Sequence, residues 1–187
     1  MRADYRVTLD ACVLANPTLC DLLLRLAEKP RLYLPCWSAE ILDEVHRTQT
    51  DKLPKPFPKE RADSFRVAVE TAFPEAMVEG FAHLIPSMTN DPKDRHVLAA
   101  AYHSGSPLIL TFNLRDFRKD ALEPLGIEAR HPQDYLISLY EFEPATVVQK
   151  LSAMAARRKL DLGELLLRMG RSVPDFASRL IEDLELS

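Results

Sequence analysis

The stretch that most constrains this chain runs from Asn90 to Phe117, NDPKDRHVLAAAYHSGSPLILTFNLRDF. Asn90 or Asp91 is suited to cap a helix, and Pro92 stands where a first helical residue has no use for its N–H. Asp94, Val97, Leu98 and Ala101 follow at i, i+3, i+4 and i+7, which is one helix face. That face is expected to be buried, yet its first member is a carboxylate. Ser104-Gly105-Ser106-Pro107 ends the helix, and Leu108-Ile109-Leu110 reads as a short buried parallel strand. Thr111, Asn113 and Asp116 then lie beyond the strand's C-terminal end, the edge at which open α/β sheets carry their sites. The spacing draws Asp94 and Asp116 towards that one edge.

The rest of the chain supplies the remaining layers. Arg6-Val7-Thr8-Leu9 reads as a first strand with Asp10 at its end, and Asn16-Pro17 opens a helix that buries Leu19, Leu22, Leu23 and Leu26. Leu32-Tyr33-Leu34 reads as a second strand, so strand, helix and strand form a right-handed parallel unit. Ser38 is expected to cap a helix to about Arg47, with Trp37, Ile41 and Val45 on one face and Glu44 at its border; Glu40 lies further out and Asp43 points away. Thr50 to Pro58 is a proline-rich linker, followed by a charged helix from Lys59 to Phe73 and a helical turn or two over Glu75 to Phe81. A short helix around Ala121 to Leu125, stopped by Gly126, leads into a last edge strand, Ile127-Glu128-Ala129. From Pro132 onward four helical stripes follow, read chiefly as core against core. The expected organisation is a catalytic domain over residues 1–131 and a helical extension over 132–187.

Net charge is −4, so no global basic field draws the chain to nucleic acid or to an anionic membrane, and any such contact needs local basic patches or metal ions. Cys12, Cys20 and Cys36 form no CxxC pair and read as reduced thiols of a cytoplasmic protein. No signal peptide or membrane span is expected, since Arg25 interrupts the Leu22-Leu23-Leu24 run. His46, His83, His96, His103 and His131 show no ligand spacing and are expected at the surface, with His96 and His103 facing away from the Asp94 stripe. There is no Gly-rich phosphate loop and no G-x-S-x-G elbow. Among the basic groups, Arg115, Arg118 and Lys119 border the acidic edge, where Arg115 and Arg118 are candidates for substrate phosphates.

Four carboxylates stand out by position: Asp10, Glu44, Asp94 and Asp116. Each has an ordinary alternative, as a turn former, a helix cap or half of a surface ion pair. Together at one sheet edge they repel one another, and a dry site raises their pKa values until some are neutral. A divalent cation relieves that penalty, and all-oxygen donors suit Mg²⁺ or Mn²⁺. Such an ion acidifies and aligns water for attack on a phosphodiester, so metal-dependent phosphodiester hydrolysis is the expected reaction. The reading requires that the acids meet in space and are not each paired with a lysine or arginine of their own.

LDACVL around Asp10, the Ser38 to Glu44 segment, DPKDRHVLAAA around Asp94 and TFNLRDF from Thr111 to Phe117 resemble, in order and separation, the PIN-domain nucleases over roughly residues 6 to 130. Within that superfamily the chain looks most like the VapC-type toxins, and its helical tail is similar to the extension of one subgroup. The resemblance implies a three-layer α/β/α fold with a central parallel sheet. It implies a Mg²⁺- or Mn²⁺-dependent endoribonuclease acting on RNA such as tRNA, restrained by a cognate antitoxin and often a homodimer. It also implies that Asp10, Glu44, Asp94 and Asp116 bind metal, that Thr111 orients the loop, and that Asn113, where many members carry Asp, is a weaker ligand or bonds a metal water. Cys12, where many relatives carry Asn, is expected to remove a polar group beside Asp10. Two rival readings remain: a catalytically silent binding module of the same fold, and an Asp10-nucleophile phosphatase or phosphotransferase, which wants a second Asp where Cys12 stands.

Overall fold

Arg6–Leu9 (β1), Leu34–Cys36 (β2), Leu108–Leu110 (β3) and Glu128–Arg130 (β4) form one fully parallel sheet in the order β2-β1-β3-β4, in a computed structural model that describes residues 4–186. On one side of β1, Arg6 pairs with Leu34 and Thr8 with Cys36; on the other, Val7 pairs with Leu108 and Leu9 with Leu110. The chain leaves β1 for β2 on one flank, then returns past β1 to build β3 and β4 on the other. The direction of winding therefore reverses between β1 and β3, which opens a crevice at their C-terminal ends.

Among the described residues ten α-helices accompany the sheet: Ala11–Leu14 (α1), Pro17–Ala27 (α2), Ala39–Arg47 (α3), Lys59–Ala72 (α4), Arg95–Ser104 (α5), Lys119–Leu122 (α6), Pro132–Phe142 (α7), Pro144–Arg157 (α8), Leu162–Met169 (α9) and Pro174–Asp183 (α10). Helix starts follow the capping residues. The Leu19 N–H donates to the Asn16 side chain, and the Ile41 N–H donates to Ser38 Oγ. Leu19, Leu22, Leu23 and Leu26 are all buried, each worth about 1.5–3 kcal/mol of transfer free energy as a fully buried side chain. Helix α5 ends at Gly105, whose φ of 67° and lack of Cβ suit the left-handed stop.

Several local expectations shift. The second strand begins two residues late, because Leu32 N–H donates to Leu26 O and the Tyr33 hydroxyl donates to Leu23 O. Leu32 and Tyr33 thus finish the α2 connection, and only from Leu34 does the backbone face β1. Trp37 is not on the α3 face; it makes a parallel bridge to Met77 and packs edge-on against Phe73 at 5.9 Å. The segment after α4 is two 3-10 turns, Pro74–Ala76 and Ala82–Ser87, joined by a stretch that is extended at Met77 and turns at Gly80. The proline-rich linker starts with a π-helical turn, Thr48–Lys52. The edge strand β4 sits one residue beyond the expected run.

Helices α7 to α10 pack on the sheet domain through the expected stripes. Leu136, Leu139, Val147, Leu151, Met154, Leu165, Leu166, Phe176 and Leu180 are buried in a core continuous with that of the sheet. Tyr135 meets Tyr33 edge-to-face at 5.6 Å. Polar ties reinforce the seam: Asn16 Nδ2 donates to Ser172 Oγ at 2.8 Å, and Arg158 donates to Thr18 Oγ1 at 3.1 Å and to Asp21 at 2.9 Å. Among the described residues, no helix is long and apolar enough to cross a membrane.

Candidate active site

The crevice between β1 and β3 collects the acids. Asp10 follows β1 directly and is only 3% exposed; its backbone N–H donates to Leu110 O, which locks it to the end of β3. Thr111, the first residue after β3, is fully buried, and its hydroxyl donates to Asp10 Oδ2 at 2.7 Å. Asn113 N–H donates in turn to Thr111 Oγ1, and the short 3-10 turn Leu114–Asp116 carries Asp116 back over the crevice. Asp91 N–H donates to the Asp116 carbonyl, so the loop after β3 is stitched to the entry of α5.

Asp94 reaches the same place from α5, in a way that differs from the expected helix. Pro92–Asp94 is a 3-10 turn capped by Asp91, whose side chain accepts from Lys93 N–H, and Asp94 is the residue before α5. Its side chain makes no capping bond. It is 7% exposed, with Oδ2 buried and lacking any hydrogen-bond partner. Such a group is expensive to keep ionised. Burial, and then the negative charges of Asp10, Asp116 and Glu44, push the Asp94 carboxyl up to about 7, with Lys93 acting in the opposite direction. One carboxylate in a dry crevice thus feels the other three.

The cations nearby are few and unequal. Lys93 Nζ lies 3.0 Å from Asp116 and 3.9 Å from Asp94, on a side chain that is 63% exposed. Glu44 on α3 faces Arg47 at 3.6 Å, a half-exposed pair of little energetic weight. Asp10 has donors but no lysine or arginine partner among the described residues. No three His, Cys, Asp or Glu side chains among those residues converge closely enough to share one ion with their present side-chain positions. The exposed Lys93 ammonium supplies positive charge between Asp94 and Asp116. The donor set is all oxygen, it includes a buried carboxylate oxygen that makes no hydrogen bond, and it already attracts a lysine ammonium; these residues fit a hard divalent ion.

Two side chains depart from expectation. His96 is not a surface residue: its side chain is 12% exposed, Nε2 is buried without a hydrogen-bond partner, and that nitrogen lies 3.7 Å from Glu44 Oε2. Because Asp94 sits outside α5, a helical projection from it misplaces His96. Cys12 does not leave Asp10 without a polar neighbour. Its Sγ lies 3.1 Å from Asp10 Oδ2 as donor, accepts the Phe112 N–H at 3.3 Å and lies 3.5 Å from Thr111 Oγ1. Burial, and next the Asp10 charge, push this thiol up to about 12, so it carries its proton. The signal in the sequence was its place two residues after a strand-end Asp, on the first turn of α1.

The candidate phosphate contacts are mixed. Arg118 is paired with Asp120 at 2.8 Å, whereas Arg115 lies exposed on the Leu114–Asp116 turn. Beside the acids, a groove of about 810 Å³ is lined by Glu44, Pro92 and His96, with Asp43, His46 and Arg66 further along. Arg66 there is ion-paired to Asp43 and Glu70.

A parallel α/β sheet with carboxylates gathered at its switch point defines a class of acidic-site α/β proteins, and the comparisons give that class its family. A family model described as a PIN domain matches residues 4–115, and the chain belongs to that family. It is also similar to a protein of Mycobacterium tuberculosis named "Putative ribonuclease VapC50", at 38% identity over 107 residues, 56% of this chain and 63% of that relative. The match therefore spans less than two thirds of the relative's length. No solved structure matches the chain.

Proposed function

We propose that this protein is a Mg²⁺- or Mn²⁺-dependent endoribonuclease and the toxin of a type II toxin–antitoxin pair. The observation that carries the reading is Asp94, a buried carboxylate whose Oδ2 makes no hydrogen bond and has the Lys93 ammonium 3.9 Å away, raised to about 7 by burial and then in part by Asp10, Asp116 and Glu44. PIN-domain membership and the ribonuclease name of the relative support it. Asp10, Asp94 and Asp116 are the residues to hold the ion, with Glu44 on its water or on a second ion. When bound, a divalent ion supplies charge neutralisation at the phosphodiester and a water acidic enough to act at neutral pH.

The chain's own residues account for the rest. Thr111 keeps Asp10 in one orientation, and the stitched loop holds Asp116 opposite it. Lys93, whose ammonium lies 3.0 Å from Asp116 and 3.9 Å from Asp94, balances their charge without a metal and would have to give way to an ion held by those acids. Asn113 is exposed beside the crevice and serves as a hydrogen-bond donor to water rather than as a strong ligand. Arg115 is the better placed of the two candidate phosphate contacts, since Arg118 is already paired. His96 buttresses Glu44.

The further parts of the reading are a catalytic unit over 1–131 with an extension over 132–187, an RNA substrate such as tRNA, a cognate antitoxin, homodimerisation and a cytoplasmic setting. Incubating the purified chain with structured RNA tests the core of it. Cleavage is expected with Mn²⁺ or Mg²⁺, and none is expected in EDTA or from folded Asp10→Asn and Asp94→Asn. Undiminished cleavage in EDTA, or by both variants, would refute the assignment.

A further inference from the structure

We propose that Cys12 is a positioning residue that, together with Thr111, holds one oxygen of Asp10 so that the other is presented to the cation. The inference rests on the reading of the acids as a cation site and goes beyond it. Two donors converge on Asp10 Oδ2, the Thr111 hydroxyl at 2.7 Å and the Cys12 thiol at 3.1 Å. Each of those donors is itself an acceptor for a backbone N–H of the loop after β3: Asn113 N–H donates to Thr111 Oγ1 at 2.9 Å, and Phe112 N–H donates to Cys12 Sγ at 3.3 Å. Two parallel relays therefore run from consecutive loop amides, through a hydroxyl and a thiol, to one carboxylate oxygen.

The other oxygen receives nothing. Although Asp10 precedes α1, its side chain accepts no capping bond from that helix, and among the described residues no donor reaches Oδ1. A carboxylate held on one side only, by donors fixed to both β1–α1 and the β3 loop, cannot rotate to share both oxygens equally. It offers a single, aimed oxygen, the geometry that suits a small octahedral ion better than a bidentate grip does. Outer hydrogen bonds of this kind set ligand orientation and are costly to remove. Here the sulfur takes a role open to any small side chain able both to donate and to accept.

The test is Mn²⁺ affinity of the 187-residue chain, read from the electron paramagnetic resonance signal of free Mn²⁺, with thermal unfolding in EDTA measured alongside. Cys12→Ser, which keeps donor and acceptor, is expected to bind within about threefold of the natural chain, and Cys12→Ala about tenfold more weakly. Cys12→Val, which fills the space without a donor, is expected to behave as alanine does and stands in should the void of alanine prevent folding. Unchanged affinity in Ala or Val, or a serine variant as weak as alanine, overturns the positioning role. Failure of the natural chain to bind Mn²⁺ at all overturns the cation reading on which the role rests, so the two failures are told apart.

Discussion

Replacing Asp94 by Asn changes shape little and removes one buried charge, and the consequence for stability follows from its environment. The carboxyl is raised from 3.8 to about 7 in the folded chain, which corresponds to a penalty on the ionised folded state of about 4 kcal/mol once pH exceeds that value. Relaxation of the crevice and access of water take part of this, leaving about 2–4 kcal/mol. Between the two pKa values the folded chain holds more protons than the unfolded one, so the stability of the natural protein falls as pH rises through that window. Asp94→Asn lacks the penalty. Without metal, its advantage should be near zero at about pH 4, grow steadily, and level off above about pH 7 at a midpoint shift of roughly 5–15 °C for a chain of this size. Thermal unfolding followed by circular dichroism in EDTA across that range measures it. Excess Mn²⁺ should then reverse the order, since binding stabilises only the chain that binds. A variant less stable than the natural chain in EDTA at about pH 8, or a difference independent of pH, would refute the reasoning.

Three further outcomes are expected. Thr111→Val removes the donor to Asp10 and leaves the Asn113 N–H without its acceptor, so unfolding measurements should show a loss of about 1–3 kcal/mol that Thr111→Ser restores. Lys93→Met removes the ammonium that occupies the space between Asp94 and Asp116, and should tighten Mn²⁺ binding about two- to fivefold above pH 7 at low salt, as calorimetric titration reads it. Gly105→Ala meets no atom within 4 Å of the added Cβ but imposes a side chain at φ 67°, so it should cost about 1 kcal/mol in chemical denaturation without touching metal affinity.

The parallel architecture was legible because its signals are local and redundant. Short apolar runs bounded by turns, capped amphipathic helices and Gly126 at a helix stop all agree with the sheet that forms. The position of Asp10 was legible because a residue just after a strand lies at the sheet edge whichever helix follows. What escaped depends on relations that periodicity does not encode. Leu32 and Tyr33 look like strand but spend their polar groups on the C-terminal end of α2. Asp94 looks like a helical residue but stands just before α5 with non-helical backbone and no capping bond, so a projection from it places His96 outward although His96 lies 3.7 Å from Glu44. Cys12 reads as apolar by composition, yet a thiol placed between a carboxylate and a backbone N–H is a donor and an acceptor at once. The pairing of Asp116 with Lys93 was equally hidden, since it requires the Asp91–Asp116 backbone bond that folds one loop onto another.

On the proposed reading Asp10, Asp94 and Asp116 hold a hard cation, with Glu44 on its water or on a second ion, and Asp94 gives up a proton to receive it. Calorimetric titration with Mn²⁺ in buffers of different ionisation enthalpy counts that proton directly. With the Asp94 carboxyl raised to about 7, close to one proton per ion should be released at about pH 6 and nearly none at about pH 8.5, and both binding and release should vanish in Asp94→Asn. Binding with no proton release at about pH 6, or Mn²⁺ affinity untouched in Asp94→Asn, would contradict the account.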